Sequence, residues 1–302
     1  MELSTKEQIR TELAKYVKHI GSGKKAEKPL GVSHAYISQI LNNKADKVSD
    51  ATWRKIAAGV GLRLDDVWNH VDTRPTIELT ALFDNARLGV NCRAILCHPG
   101  SGKTHTLNRY AATHQNVIVV KCVEVMTVRS FYGDILKSLG HEPSSYNLHD
   151  IFLQVVDVVS RLESPVMIID EIERVHSKFL TAIVSQIVDM FNRLEDICPF
   201  VVLGTSVLKK ISDGCIVRQT ANWNTFFDRF NIKWVLLTAP NEQDLLDVIK
   251  ANGITGLNQA YAIINDSITT DGNYTMRRVK SSVKAQKKKA TLLEAEDQEE
   301  AA

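Results

Sequence analysis

Cys97-His98-Pro99-Gly100-Ser101-Gly102-Lys103-Thr104 follows an apolar segment, Arg93 to Leu96, and leads into a helix-like one, His105 to Ala112. Strand, glycine turn, Lys-Thr and helix are the parts of a nucleotide phosphate site. The glycines let backbone N–H groups turn inward around phosphate oxygens. Lys103 can reach the terminal phosphates, and the Thr104 hydroxyl can hold Mg2+. Pro99, Gly100, Ser101, Gly102, Lys103, Thr104 and His105 are therefore the candidate ATP-binding residues. One departure stands out. The usual pattern opens on glycine, and Cys97 holds that place, so its side chain must fit where a hydrogen normally sits.

Val166-Met167-Ile168-Ile169 runs into Asp170-Glu171. Four successive apolar residues fit a strand covered on both faces of a parallel sheet. Asp170 is placed to hold Mg2+ through water, and Glu171 to polarise an attacking water. Alone, the run could be a core strand with two solvated acids at its tip. Behind Gly-Ser-Gly-Lys-Thr it reads as the second half of an ATPase site.

Around these two motifs, strand candidates alternate with helices: Ala94–Leu96, Asn116–Lys121, Val166–Asp170, Phe200–Gly204 and Lys233–Leu237. That alternation predicts an α/β fold, a parallel sheet with helices on both sides. An amphipathic helix over 77–88 precedes it. Helical patterns over 242–250, 256–265 and 274–287 suit a small helical lid. The charge block from Lys287 to Glu300 has no core of its own and is expected to be a mobile tail. The domain expectation is thus 1–70 helical, 71–76 linker with Pro75, 77–284 the P-loop ATPase with its lid, and 285–302 tail.

The chain has 302 residues, 44% hydrophobic and 24% charged, enough for one large domain or two modest ones. No apolar run could span a membrane, and residues 1–6 lack a secretory signal's apolar core, so a cytoplasmic protein without a membrane partner is expected. Five scattered cysteines include no Cys-x-x-Cys pair and read as reduced core thiols. A net charge of +2 does not by itself imply nucleic acid, although its distribution is uneven.

Residues 1–70 carry that unevenness. Ser4 with Glu7 fits a capping box, and Ile9, Leu13, Val17 and Ile20 recur at helical spacing. Leu30-Gly31-Val32-Ser33 then reads as a sharp turn with Ser33 capping the helix beyond it. Val32, Ile37, Ile40 and Leu41 point to a core, while His34, Ala35, Ser38 and Gln39 fall on the opposite face. Pro29 sits in the last turn of the preceding helix, where it removes a donor. Ala51 to Gly59, Leu62 and Val67-Trp68 are expected to close the domain. The stretch resembles the helix-turn-helix of phage-repressor type. In that family the second helix enters the major groove of double-stranded DNA. The resemblance implies that His34, Ala35, Ser38 and Gln39 face bases and that Lys24, Lys25, Lys28, Lys44 and Lys47 suit phosphates. A helical protein-docking module with a basic face is the alternative.

Taken with the P-loop and Asp170-Glu171, the later segments resemble ATPases of the AAA+ class. That resemblance implies three roles. Thr205, after the apolar Val201-Val202-Leu203-Gly204, would be the sensor at a strand tip, where asparagine is common. Arg229, in Phe226-Phe227-Asp228-Arg229-Phe230, would be the finger reaching a neighbouring subunit's ATP. Its alternative role is a surface arginine paired to Asp228, with Arg218 the next candidate finger. Arg277, with Arg278 as its alternative, would be the second sensor at the lid helix.

An N-terminal helix-turn-helix, a short linker, one AAA+ module and a charged tail resemble the MuB-like family of ATP-dependent target-DNA activators in phage and transposon transposition. The family implies ATP-dependent homo-oligomeric filaments on double-stranded DNA that present it to a DDE-type transposase. It also implies channel contacts near Lys121, Thr127 and Arg129, which could equally be a solvated loop. Replication-initiator or helicase-loader-like ATPases, and an ATP-sensing helix-turn-helix transcription regulator, are the competing functions.

Overall fold

A computed structural model describes residues 3–45, 48–62, 68–89, 92–230 and 234–300, with side chains between 5 and 289. Lys47, Val67 and Lys233 lie outside the described residues. The chain divides into two compact units: residues 1–71 with 247–260 and 280–302, and residues 72–246 with 261–279.

The first unit opens with four helices: α1 (Leu3–Ile20), α2 (Gly23–Leu30), α3 (His34–Leu41) and α4 (Asp50–Gly59). Ile9, Leu13, Ala26, Leu30, Ile37, Ile40, Trp53 and Ile56 form their shared core. Ser22 caps α2 by accepting the Lys25 N–H at 3.3 Å. Gly31, at φ +59°, ends α2. The Val32 N–H returns to the Glu27 carbonyl and that of Gly31 to Lys28, a Schellman closure that fixes the turn before α3. Pro29 is held within α2, one residue from its end. Two details differ from the sequence expectation. Ser33 occupies the N-cap of α3 with extended backbone, but its side chain makes no capping bond. Helix α1 already begins at Leu3, which puts Ser4 inside it, and the Glu7 carboxylate accepts from Arg10 at 2.7 Å instead of reaching back.

The second unit is an AAA+ P-loop fold. Its elements are α5 (Arg74–Gly89), β1 (Arg93–Leu96), α6 (Lys103–Thr113), β2 (Val117–Lys121), α7 (Val128–Ser138), α8 (Leu148–Ser160), β3 (Val166–Asp170), a 3₁₀ turn (Ile172–Arg174), α9 (Ser177–Leu194), β4 (Phe200–Gly204), α10 (Ser206–Val217), α11 (Trp223–Arg229) and β5 (Val235–Leu236). All pairings are parallel, in the order β2-β3-β4-β1-β5. Every residue of β3 and β4 is buried. Alternate strand residues explain this. Ala94, Ile118, Met167, Ile169 and Val202 pack toward α7–α9. Ile95, Val166, Ile168, Val201 and Leu203 pack with residues of α5 and α6. A strand with helices on both faces has no solvent side on which to place polar residues.

Helices α12 (Glu242–Ala251), α13 (Leu257–Asp266) and α14 (Met276–Glu300) are divided between the two units. Two expectations change here. Helix α5 starts at Arg74, so Pro75 belongs to its first turn and not to a linker. Proline is tolerated there because the first N–H groups of a helix have no internal acceptor. The expected tail is helical through Glu300. Met276–Glu300 contains neither Gly nor Pro and is rich in Lys, Ala, Glu and Leu, all strong helix formers. Among the described residues no helix is long and apolar enough to cross a membrane. All five cysteines are buried free thiols.

Candidate active site

Register assembles the site. Leu96 pairs with Gly204, Asp170 with Leu203, and Lys121 with Asp170. The residues just beyond these strand ends therefore emerge along one edge of the sheet. That carboxyl edge is where open α/β sheets bind ligands.

Cys97 extends β1, its N–H donating to the Gly204 carbonyl at 2.8 Å. Its side chain is buried beside Ile95, Leu107 and Leu203. Burial pushes the thiol up to about 12, so it sits there as a small neutral apolar group. Cysteine is tolerated because this position has no left-handed backbone. Gly100 and Gly102 are different, with φ of +81° and +90°. A Cβ on Gly100 would lie 2.0 Å from Thr275 Oγ1. The Met276 N–H, at the start of α14, donates to the Gly100 carbonyl at 2.8 Å.

Lys103, in the first turn of α6, reaches Asp170 Oδ1 at 2.5 Å and Glu171 Oε1 at 4.0 Å. Burial pushes the Asp170 carboxyl above its ordinary value, against the pull of the Lys103 charge and hydrogen bond. Asp170 Oδ2 and Ser101 Oγ are buried and have no hydrogen-bond partner. An orphan acceptor beside a lysine and an orphan hydroxyl in the glycine loop fit a hydrated cation and phosphate oxygens respectively. Pro99, Thr104 and His105 are on the exposed side of the loop and helix start.

Glu171 has φ +57°, a left-handed turn that takes the chain out of β3. Its carboxylate accepts from Arg174 Nη1 at 3.0 Å and lies 4.0 Å from Lys121 Nζ. Burial opposes ionisation, but the Arg174 hydrogen bond and the charges of Lys103, Lys121 and Arg174 outweigh it and lower the pKa. Glu171 is therefore an ionised carboxylate at neutral pH. Thr205 lies at the tip of β4. Its N–H and Oγ1 both donate to Glu173 Oε1, at 2.8 and 3.0 Å, and Oγ1 accepts the Val207 N–H as the cap of α10. Glu173 and Arg174 are site residues that sequence reasoning missed. Their only signal was position, immediately after Asp-Glu.

The structure gives the remaining candidates separate surroundings. The Arg229 guanidinium lies 5.1 Å over the Phe191 ring, with Nη1 3.9 Å from Glu195, and its Nε is buried without a partner. Arg277 and Arg278 are both exposed, and Arg278 donates to the Ile268 carbonyl at 2.8 Å. The channel residues do not form one free basic surface. Lys121 faces Glu171, Thr127 is engaged in a capping box with Ser130, and Arg129 donates to the carbonyls of Tyr146 and Ser145. In the first unit, His34, Ala35 and Gln39 are exposed and Ser38 is half-buried. Lys24, Lys25, Lys28 and Lys44 are exposed as well. An ideal Cβ on Gly31 would lie 3.3 Å from Lys55 Nζ, which puts this ammonium over the turn between α2 and α3. Sequence reasoning did not single out Lys55.

No curated protein matches the chain. Several solved structures have similar folds. The Aeropyrum pernix Orc1 protein in complex with DNA aligns with TM-score 0.48 and 13% identity, over 71% of this chain and 58% of that one. Cdc6p from Pyrobaculum aerophilum aligns with TM-score 0.47 and 14% identity, over 69% and 58%. Drosophila ORC bound to DNA aligns with TM-score 0.46 and 13% identity, over 72% and 55%. The chain thus spans less than two thirds of each of these proteins. Residues 89–211, from the end of α5 into α10, match the family model of an AAA domain.

Proposed function

We propose that this chain is an ATP-hydrolysing switch that binds double-stranded DNA and works as a homo-oligomer. The observation that carries the reading is the convergence of Lys103, Asp170 and Glu171 beneath the Gly100–Gly102 turn. Bound ATP with Mg2+ would supply the γ-phosphoryl group and the charge that neutralises its oxygens. Residues 99–105 would hold the phosphates, with Lys103 leaving Asp170 for the terminal ones. Thr104 and Asp170 would hold the cation. Glu171, ionised, would accept a hydrogen bond from the attacking water. Arg229 would act on a neighbouring subunit's site, and Arg277 from the lid.

The DNA half of the proposal rests on the Schellman turn and the exposed face of α3. His34, Ala35 and Gln39 present polar and small groups suited to base edges, with Ser38 behind them. The surrounding lysines suit phosphates, so affinity should fall steeply with salt. The comparisons lend no support to a transposase client or a helical filament. An initiator- or loader-like client is kept as the second reading, since the site chemistry is the same for either.

The test is Glu171→Gln, assayed for ATP affinity, turnover and retention of duplex DNA. Expected are unchanged ATP affinity, turnover reduced by roughly 100-fold or more, and DNA retained with ATP but released with ADP. Normal turnover would remove Glu171 from its role. DNA binding indifferent to nucleotide would remove the switch. With wild-type protein, stimulation of strand transfer by a DDE-type transposase or of helicase loading separates the two clients.

A further inference from the structure

We infer that Glu173 is a positioning residue for ATP hydrolysis, acting through Thr205; the inference rests on the ATPase reading above. One carboxylate oxygen, Glu173 Oε1, takes both the Thr205 N–H at 2.8 Å and the Thr205 hydroxyl at 3.0 Å. Two donors from one residue to one oxygen fix both the backbone and the rotamer of Thr205. The consequence is chemical. With its only hydrogen given to Glu173 and one lone pair taken by the Val207 N–H, Thr205 Oγ1 has one lone pair left to present. It can orient a water by accepting its hydrogen, but it cannot donate to a phosphate oxygen. The sensor position of this chain therefore works as an acceptor, in series with Glu171, which also accepts. Asparagine, common at this position in AAA+ proteins, carries an amide donor and has no such restriction.

The second oxygen is a buried acceptor left over by this arrangement. Glu173 Oε2 is buried without a partner, and a Cβ on Gly204 would stand 3.1 Å from it. The glycine at 204 is itself set by Leu208, whose Cδ2 and Cβ would stand 2.4 and 2.8 Å from a Cβ there. The left-handed turn at Glu171 separates the two acids: Glu171 stays with Lys103 and Arg174, and Glu173, two residues on, turns to β4.

The experiment measures ATP Kd and kcat for wild type, Glu173→Ala, Glu173→Gln, Thr205→Ala and the Glu173→Ala/Thr205→Ala pair, with thermal melts alongside. A hydrogen bond to a charged group corresponds to roughly a tenfold to hundredfold change in rate. Glu173→Ala should lower kcat by that factor with ATP Kd unchanged. Glu173→Gln keeps an acceptor oxygen and should recover most of kcat. The double variant should be no slower than Thr205→Ala alone. Wild-type kcat in Glu173→Ala, or effects that multiply in the double variant, would overturn the inference. So would a loss in Glu173→Ala that tracks a lower melting temperature and is not recovered by Glu173→Gln. A wild-type protein that binds and hydrolyses no ATP would instead overturn the ATPase reading, and the inference with it.

Discussion

Replacing Gly100 by alanine would put a methyl carbon 2.0 Å from Thr275 Oγ1, 2.8 Å from its Cβ and 3.2 Å from its Cα. Rotating the hydroxyl away relieves the first contact and leaves the second. Thr275 is buried at the start of α14, and the neighbouring Met276 N–H holds the Gly100 carbonyl, so neither side can move alone. Two effects add. Alanine at a left-handed position costs about 1–2 kcal/mol. Overpacking against a buried neighbour costs about 1–3 kcal/mol more. Gly102 separates them, because it shares the positive φ but has nothing within 4 Å of its ideal Cβ. Gly102→Ala should therefore carry only the first effect. Nucleotide-free thermal unfolding is the assay. At about 2–4 °C per kcal/mol for a unit of 150–250 residues, Gly100→Ala should melt roughly 2–12 °C below Gly102→Ala. A Thr275→Gly background removes the atoms at 2.0 and 2.8 Å and should close most of that gap. Equal melting of the two alanine variants, or a gap unchanged by Thr275→Gly, would refute the contact between lid helix and phosphate loop.

Lys103→Ala should abolish ATP binding, measured by titration with a fluorescent analogue. It should also destabilise the nucleotide-free protein by about 3–5 kcal/mol, since it strands the buried Asp170 carboxylate. Adding Asp170→Asn should restore much of the melting temperature and none of the ATP binding; loss of both together would show that the pair is not what holds Lys103. If Arg229 acts on a neighbouring subunit's site as proposed, homogeneous Arg229→Ala should lose on the order of 10³-fold in ATPase rate. Mixing it with Lys103→Ala subunits should recover part of that rate, because some interfaces then contain one intact site. An unchanged rate in homogeneous Arg229→Ala would move the role to Arg218.

Strands β3 and β4 were readable to the residue because both faces are covered. Uninterrupted apolar runs have sharp ends where the first charge or hydroxyl appears, at Asp170 and Thr205. β5 was harder. Among the described residues Val235–Leu236 form the strand paired with β1, and Leu236 is 63% exposed, so an apolar residue there does not mark a buried position. Helix ends failed for a different reason. Pro75 reads as a breaker in a linear scan, yet in a first helical turn it removes no bond. The Lys–Glu tract after Lys287 reads as a tail because it lacks a core, but absence of a core does not remove helix propensity.

The meeting of Lys103 with Asp170 and Glu171 was legible because parallel register turns positions in sequence into neighbours in space. Each strand end brings its next residue to the same edge, so Lys103 and Asp170 meet across 67 positions of chain. The path of the chain beyond Glu171 was not legible, because its direction depends on a backbone angle and not on periodicity. Were Glu171 extended, Glu171 and Glu173 would point to the same face, as alternate residues of a strand do. At φ +57° the chain leaves the strand, and the two acids take different partners. Arg174 then closes on Glu171 and helps keep it ionised, while Glu173 closes on Thr205 and sets the direction of its hydroxyl. A left-handed glutamate costs about 1–3 kcal/mol wherever it occurs. Here that strain separates a carboxylate able to act on water from one able to position the residue beside it.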